Sequence, residues 1–227
     1  MNLDRIVDLS MPMYNGVAAG GPGVNFFPQS THDESKRLLG YTTASNFFLM
    51  HEHCGTHVDS FYHFKADGQS IDEIDIRRFI LPARVVDLTT KKGWEKITDE
   101  DLQRACTEQK VEVIRGGALL IHCRKDREWY SEHRKAFDMP FLVESAARWV
   151  HEQGLSMIGQ DAVGFENANI DIKRPVHNYL LHRNVILLEG VCNLNDLVGK
   201  RFTLFAVPIK FRRGTGAQCR AYAVLEP

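Results

Sequence analysis

Four of the ten histidines and two carboxylates crowd into one short run, His51-Glu52-His53-Cys54-Gly55-Thr56-His57-Val58-Asp59-Ser60-Phe61-Tyr62-His63-Phe64. Imidazole and carboxylate without an obligatory thiolate form a donor set suited to zinc or manganese. A single isolated histidine is more often a packed or surface residue than a ligand. Four together, three of them spaced around an aspartate as H-x3-H-x-D-x3-H, point instead to a divalent cation.

That spacing constrains the backbone. His53, His57, Asp59 and His63 fall on odd positions, so an extended chain turns them to one face. A perfectly straight strand would separate His53 from His57 by about 13 Å, a marginal reach for two imidazoles on one ion. The chain must bend, and Gly55 sits where a positive φ is available. A helix would align His53 with His57 but turn Asp59 away, and the Gly-Thr and β-branched neighbours oppose it. The expectation is a strand that kinks at Gly55 and delivers His57 and Asp59 together. Cys54 then faces away, as a small buried residue.

A second informative stretch runs from Pro175 to Glu189. Proline suits a first helical position and Asn184 a left-handed terminator, which predicts a short helix between them. Val185 to Leu188 is an apolar strand ending in Glu189, a carboxylate costly to bury without a partner. A cation would resolve that cost. His177 precedes Glu189 with the spacing H-x11-E, whereas His182 lies away from His177 on the helix and reads as surface.

The run His53 to Phe64, H-C-G-T-H-V-D-S-F-Y-H-F, resembles the signature H-x-G-T-H-x-D-x-P-x-H-F of the metal-dependent cyclase-like hydrolases, the family that includes bacterial kynurenine formamidase and isatin hydrolase. Phe61 stands where that signature has proline. Asp8-Leu9-Ser10 resembles the family's D-L-S opening, and the His177 and Glu189 pair its second metal half-site. The resemblance implies His53, His57 and Asp59 on one divalent ion, with Asp59 bridging to a second held by His177 and Glu189. Zinc is the expected metal and manganese the alternative, with two ions per chain. His63 is then not a ligand but the proton donor and acceptor, suited to it by an imidazole pKa near 6.5. The implied reaction is hydrolysis of a small amide, either an N-formyl aryl amine or a cyclic imide-like or lactam ring, by metal-activated water. The implied fold is α/β: a single mixed-sheet domain over residues 1–227 with flanking helices, of the swivelling β/β/α type, associating as a homodimer or homotetramer.

Three rival readings remain at this point. A mononuclear manganese enzyme of the isatin-hydrolase kind would leave His177 and Glu189 to hydrogen-bond. A cupin-like iron oxygenase would use His51 with His53. A non-catalytic protein would keep ions for stability alone.

The rest of the chain must position these residues. Its 227 residues, 44% of them apolar, suffice for one filled core. A formal net charge of −1 without a basic stripe argues against nucleic acid. No polybasic patch, leader-like apolar core or spanning-length run suggests a membrane. Five cysteines without a CxxC read as reduced thiols of a cytoplasmic protein. Strands are expected at 6–10, 42–50, 81–88, 118–121, 157–159, 203–210 and 219–225, with a polar turn and short helix at 68–78. Thr98 to Asp101 opens a capped helix with Leu102, Ala105 and Cys106 as its stripe, and a second helix runs from Leu142 to Val150 and stops at Gly154. The glycine- and proline-rich 14–31 reads as a loop carrying Phe26 and Phe27, 124–134 as a solvated helix and 212–216 as a basic turn. His122, Cys123 and Arg124 follow a strand, a usual place for substrate contacts. Asp161 is expected to organise a loop, while Glu166 and Asn167 receive no assignment. Phe47, Phe48, Phe61 and Tyr62 are compatible with a flat, aromatic small-molecule substrate.

Overall fold

The computed structural model describes residues 3–16, 23–124, 139–162, 164–167 and 172–227. Its elements in chain order begin with β1 (Ile6–Asp8), β2 (Val24–Ser30), α1 (His32–Leu39), β3 (Ser45–Met50), β4 (His57–Asp59) and β5 (Ile80–Asp87). Next come β6 (Lys96–Ile97), α2 (Asp99–Glu108), β7 (Ala118–His122), β8 (Phe141–Leu142), α3 (Glu144–Glu152) and β9 (Met157–Gln160). The chain finishes with α4 (Pro175–Leu181), β10 (Ile186–Glu189), β11 (Phe202–Phe205), β12 (Gly216–Gln218) and β13 (Tyr222–Leu225).

Nine strands form one mixed sheet in the order β1-β13-β11-β5-β7-β9-β10-β4-β12. Its middle, β5-β7-β9-β10, is parallel, as helical crossovers require. The strands outside that middle pair antiparallel. The apolar strands β7 and β10 are buried throughout, as expected of strands covered on both faces. They pack with Leu102 of α2, Ala146 and Val150 of α3, and Val176 and Leu180 of α4 into a single core. The family-implied α/β mixed sheet with flanking helices is the observed architecture.

Local signals explain the element ends. Thr98 accepts from the Asp101 N–H and Asp101 accepts back from the Thr98 N–H, a closed capping box that fixes the start of α2. Pro175 opens α4, and Asn184 ends the turn after it with φ +59°. Gly55 takes φ +65° immediately before β4, at the bend that the histidine spacing required.

Several expectations are corrected. Residues 24–30 are not loop but strand β2, paired antiparallel with β3. Phe141 and Leu142 form β8, parallel to β6, so α3 starts only at Glu144. Gly216, read as the end of a basic turn, begins β12 at the edge of the main sheet. Phe47 and Phe48 are exposed, and Phe61 is buried in the core beneath Arg78. The solvated helix expected at 124–134 falls, apart from Arg124, outside the described residues.

Gly190 has φ +66°, and a Cβ on it would sit 2.6 Å from the Gly55 carbonyl oxygen. Thr56 seals the same contact, its hydroxyl donating to the Gly190 carbonyl at 2.6 Å. Gly190→Ala should therefore destabilise the protein by roughly 1–3 kcal/mol through backbone strain. Chemical denaturation checks this; a loss below a few tenths of a kcal/mol would contradict it.

Candidate metal centre

Strand register brings the two sequence stretches together. β4 lies between β10 and β12, with Glu189 and Gln218 opposite His57, and Gly216 opposite Asp59. Opposed residues share a face with Cβ atoms about 4.5–5.5 Å apart, so the pairing alone delivers Glu189 to His57. The side chain that Gly216 lacks leaves room for His53, whose Cε1 would lie 2.6 Å from a Cβ there. The bend at Gly55 folds His53 back over that space, and α4 supplies His177.

All five residues are buried. One donor atom each from His53, His57 and Asp59 lies within 4.8 Å of the others, and the same holds for Asp59, His177 and Glu189, so Asp59 belongs to both groups. Asp59 Oδ1 is 2.7 Å from His53 Nδ1 and 3.4 Å from His57 Nε2. Its Oδ2 is 3.4 Å from His177 Nε2, which is also 3.1 Å from Glu189 Oε1.

The outer nitrogens of the three rings decide what the inner ones present. His57 Nδ1–H donates to the Gly55 carbonyl at 2.9 Å. His177 Nδ1–H donates to the Glu166 carboxylate at 2.5 Å. Thr215 spends its hydroxyl proton on Glu52, so His53 Nε2–H donates to Thr215 Oγ1 at 3.0 Å. A neutral imidazole has one N–H, so each inward nitrogen is then a bare lone pair facing carboxylate oxygen. Asp59 Oδ2 and Glu189 Oε1 are buried without any hydrogen bond. Lone pairs against unpartnered carboxylates repel unless positive charge sits between them.

The titration behaviour shows the same demand for positive charge, which protons on the rings meet when no cation does. Burial alone would lower His57 and His177, yet Asp59 raises both, with help from Glu189 and, for His177, from Glu166. Burial would raise Asp59 and Glu189, yet the histidines hold both carboxyls below their usual range. Nitrogen and oxygen donors around such a charge deficit fit a divalent cation. Outer partners on each ring nitrogen are the usual support of metal-ligating histidines.

His63 stands beside this centre, on a single 3-10 turn over Phe61–His63. Its ring stacks on His53 at 4.0 Å between centroids and meets Phe64 edge-on at 4.7 Å. Burial pushes its imidazole down to about 4, against the value near 6.5 expected from its residue type. The ring is therefore neutral at pH 7, with a nitrogen able to accept a proton.

Other sequence candidates fall elsewhere. His182 is exposed and bonds its own helix at the Asn178 carbonyl. His51 is exposed and outside both donor groups. Asp161 accepts from the Cys123 N–H at 2.9 Å and lies 2.6 Å from His122 Nδ1, so it ties the turn after β9 to the end of β7. Cys54 is fully buried, and burial raises its thiol to about 11.

Glu166, Thr215 and Glu52 were not singled out from sequence. Glu166 accepts both the backbone N–H and Nδ1–H of His177. Glu166→Gln keeps the shape and removes the charge, so metal affinity should fall about 10–100-fold. A chelator-competition titration measures it, and an unchanged affinity would reject a positioning role.

Residues 7–167 match the Cyclase family, described as "Putative cyclase". The chain is 26% identical over 225 residues to a kynurenine formamidase of Bacillus mycoides (strain KBAB4), covering 97% of this chain and 98% of the relative. It is 26% identical over 230 residues, with the same coverage, to a kynurenine formamidase of Bacillus anthracis. Among solved structures, an isatin hydrolase bound to the product analogue thioisatinate superposes with a TM-score of 0.84 at 23% identity, covering 98% of this chain and 92% of that one. A potential metal-dependent hydrolase with cyclase activity superposes with a TM-score of 0.75 at 24% identity, covering 98% of both chains.

Proposed function

Because this chain belongs to the cyclase family, matched over residues 7–167, we propose that it is a metal-dependent hydrolase of a small amide or cyclic amide, of the arylformamidase kind. The single observation that carries this reading is the buried Asp59 shared by two donor groups, with Asp59 Oδ2 and Glu189 Oε1 left without a hydrogen bond. His53, His57 and Asp59 would hold one divalent ion and Asp59, His177 and Glu189 a second, zinc being favoured and manganese the alternative. Divalent ions supply a Lewis acid that lowers the pKa of water and polarises a scissile carbonyl. Glu166, Thr215 and the Gly55 carbonyl fix the three rings with their lone pairs inward. The His63 nitrogen takes a proton from the attacking water and returns it to the departing amine nitrogen. His53 stacks on that ring and Phe64 meets it edge-on, so little reorganisation is needed as the proton moves.

Relatives named kynurenine formamidase and fold neighbours named isatin hydrolase bracket the substrate class: an open N-formyl aryl amide, or a lactam in an aromatic ring system. The protein acts, on this reading, as a homodimer or homotetramer. The test is product release from formanilides, N-formylkynurenine, isatin and small lactones with zinc or manganese added. Hydrolysis of an amide or lactam is the expected result. A metal-loaded protein inert towards every amide and lactam would overturn the proposal.

A further inference from the structure

Gln160, the last residue of β9, is fully buried. Gly159 pairs with Leu188 in the parallel β9–β10 ladder, so the residues that follow them, Gln160 and Glu189, turn to the same face of the sheet. The Gln160 amide is only half satisfied: Nε2 donates to the Gly164 carbonyl, and Oε1 is buried without a hydrogen bond. An apolar side chain of the same length would avoid the cost of that unpaired oxygen. The contact with Gly164 is therefore the feature that sets glutamine apart at this position.

Gly164 leads from that contact to the second donor group. It takes φ +83°, and its N–H donates to Glu189 Oε2 at 2.9 Å. Two residues on, Glu166 accepts from the backbone N–H and the Nδ1–H of His177, at 3.1 and 2.5 Å. The Ala162 carbonyl accepts from the Gly190 N–H at 3.0 Å, which ties the same turn to the residue after Glu189. One short turn thus grips both residues that join Asp59 in the second group.

The first group is supported from other elements. His57 donates to the Gly55 carbonyl, and His53 meets Thr215 just before β12. Gln218 of β12 braces the bend that carries His53, its Nε2 donating to the His51 and Glu52 carbonyls at 2.8 and 3.0 Å. Asp59 is common to both groups, so the two can be moved apart only through supports they do not share.

We propose that Gln160 is such a support, a positioning residue for the second cation and not for the first: by holding the Gly164 carbonyl it shapes the turn that aims Glu189 and His177. This rests on the two-ion reading given above. Its effect is on geometry alone, because a neutral amide adds no charge to the centre.

Zinc titration of the full-length protein, stripped of metal and read against a competing chelator, separates the two equivalents. His177→Ala marks the second equivalent by abolishing it. Gln160→Met keeps the length of the side chain and loses the donor, so the second equivalent should weaken about 10–100-fold while the first stays close to wild type. The melting temperature of the metal-free protein should move by no more than about 4 °C, since the change removes one hydrogen bond and one unpaired oxygen together. Thr215→Val should do the reverse, weakening the first equivalent and sparing the second. Gly164→Ala strains the left-handed turn without touching Gln160, and should repeat the Gln160→Met result. Equivalents that weaken together in Gln160→Met, or a second equivalent that keeps its affinity, would overturn the inference. Should Gln160→Met fail to fold, Gly164→Ala decides by the same criterion. A wild-type chain that binds a single zinc would overturn the two-ion reading itself, so the two failures are distinct.

Discussion

Asp59→Asn should empty the centre and reduce hydrolysis by about 10³-fold or more, a loss of several kcal/mol of transition-state stabilisation. Both oxygens of this carboxylate are committed: Oδ1 faces His53 and His57, and Oδ2 faces His177. Asparagine keeps one oxygen and places an NH₂ donor where the other stood, so one donor group loses an acceptor outright. Because Asp59 belongs to both groups, neither can compensate for the other. Metal analysis should accordingly find less than one ion per chain in the variant. Chelation of the wild-type protein should lower its melting temperature, since an ion bound only by the folded chain stabilises it by mass action. The same chelator should leave the melting temperature of Asp59→Asn unmoved. A variant that kept full metal content and full rate would remove Asp59 from the centre and the two-group arrangement with it.

The parts of the fold written in local chemistry were legible in the sequence. Gly55 could be placed at a bend because the histidine spacing is too long for one ion on a straight strand, and its φ of +65° is that bend. Thr98 and Asn184 marked helix ends because a hydroxyl and a short amide side chain act on their own neighbourhood. The misses share a different cause. β2 carries Pro28 inside it and follows glycine-rich chain, so it reads as loop, and its strand form comes from pairing with β3. Gly-Ala-Gln in β12 has no β-branched residue and becomes a strand only through hydrogen bonding to β4.

The centre divides along the same line. Its donor residues stand in two dense runs whose spacing is visible, whereas their supports are scattered. Glu166 meets His177 across 11 positions, and Thr215 meets Glu52 across 163. No local pattern marks a carboxylate as the partner of an imidazole on another element. Glu166 is buried whereas Glu52 and Thr215 are only half-buried, so no one property marks them before the fold is known.

His63→Gln should separate catalysis from metal binding. The ring stacks on His53 yet belongs to neither donor group, so its loss should leave metal content and melting temperature close to wild type. Removing a positioned proton carrier costs about 10²–10⁴-fold in rate, and that loss should fall on kcat with KM little changed. Glutamine fills much of the same space between His53 and Phe64 but cannot carry a proton at neutral pH. The smaller His63→Gly variant leaves a slot in which added imidazole should restore part of the rate. Rescue of that kind distinguishes a missing proton carrier from a damaged fold. Full activity in His63→Gln would strip the residue of its role, and loss of metal alongside activity would make it a ligand instead. Loss of hydrolysis with metal content and melting temperature unchanged would dismiss the reading in which the ions serve stability alone.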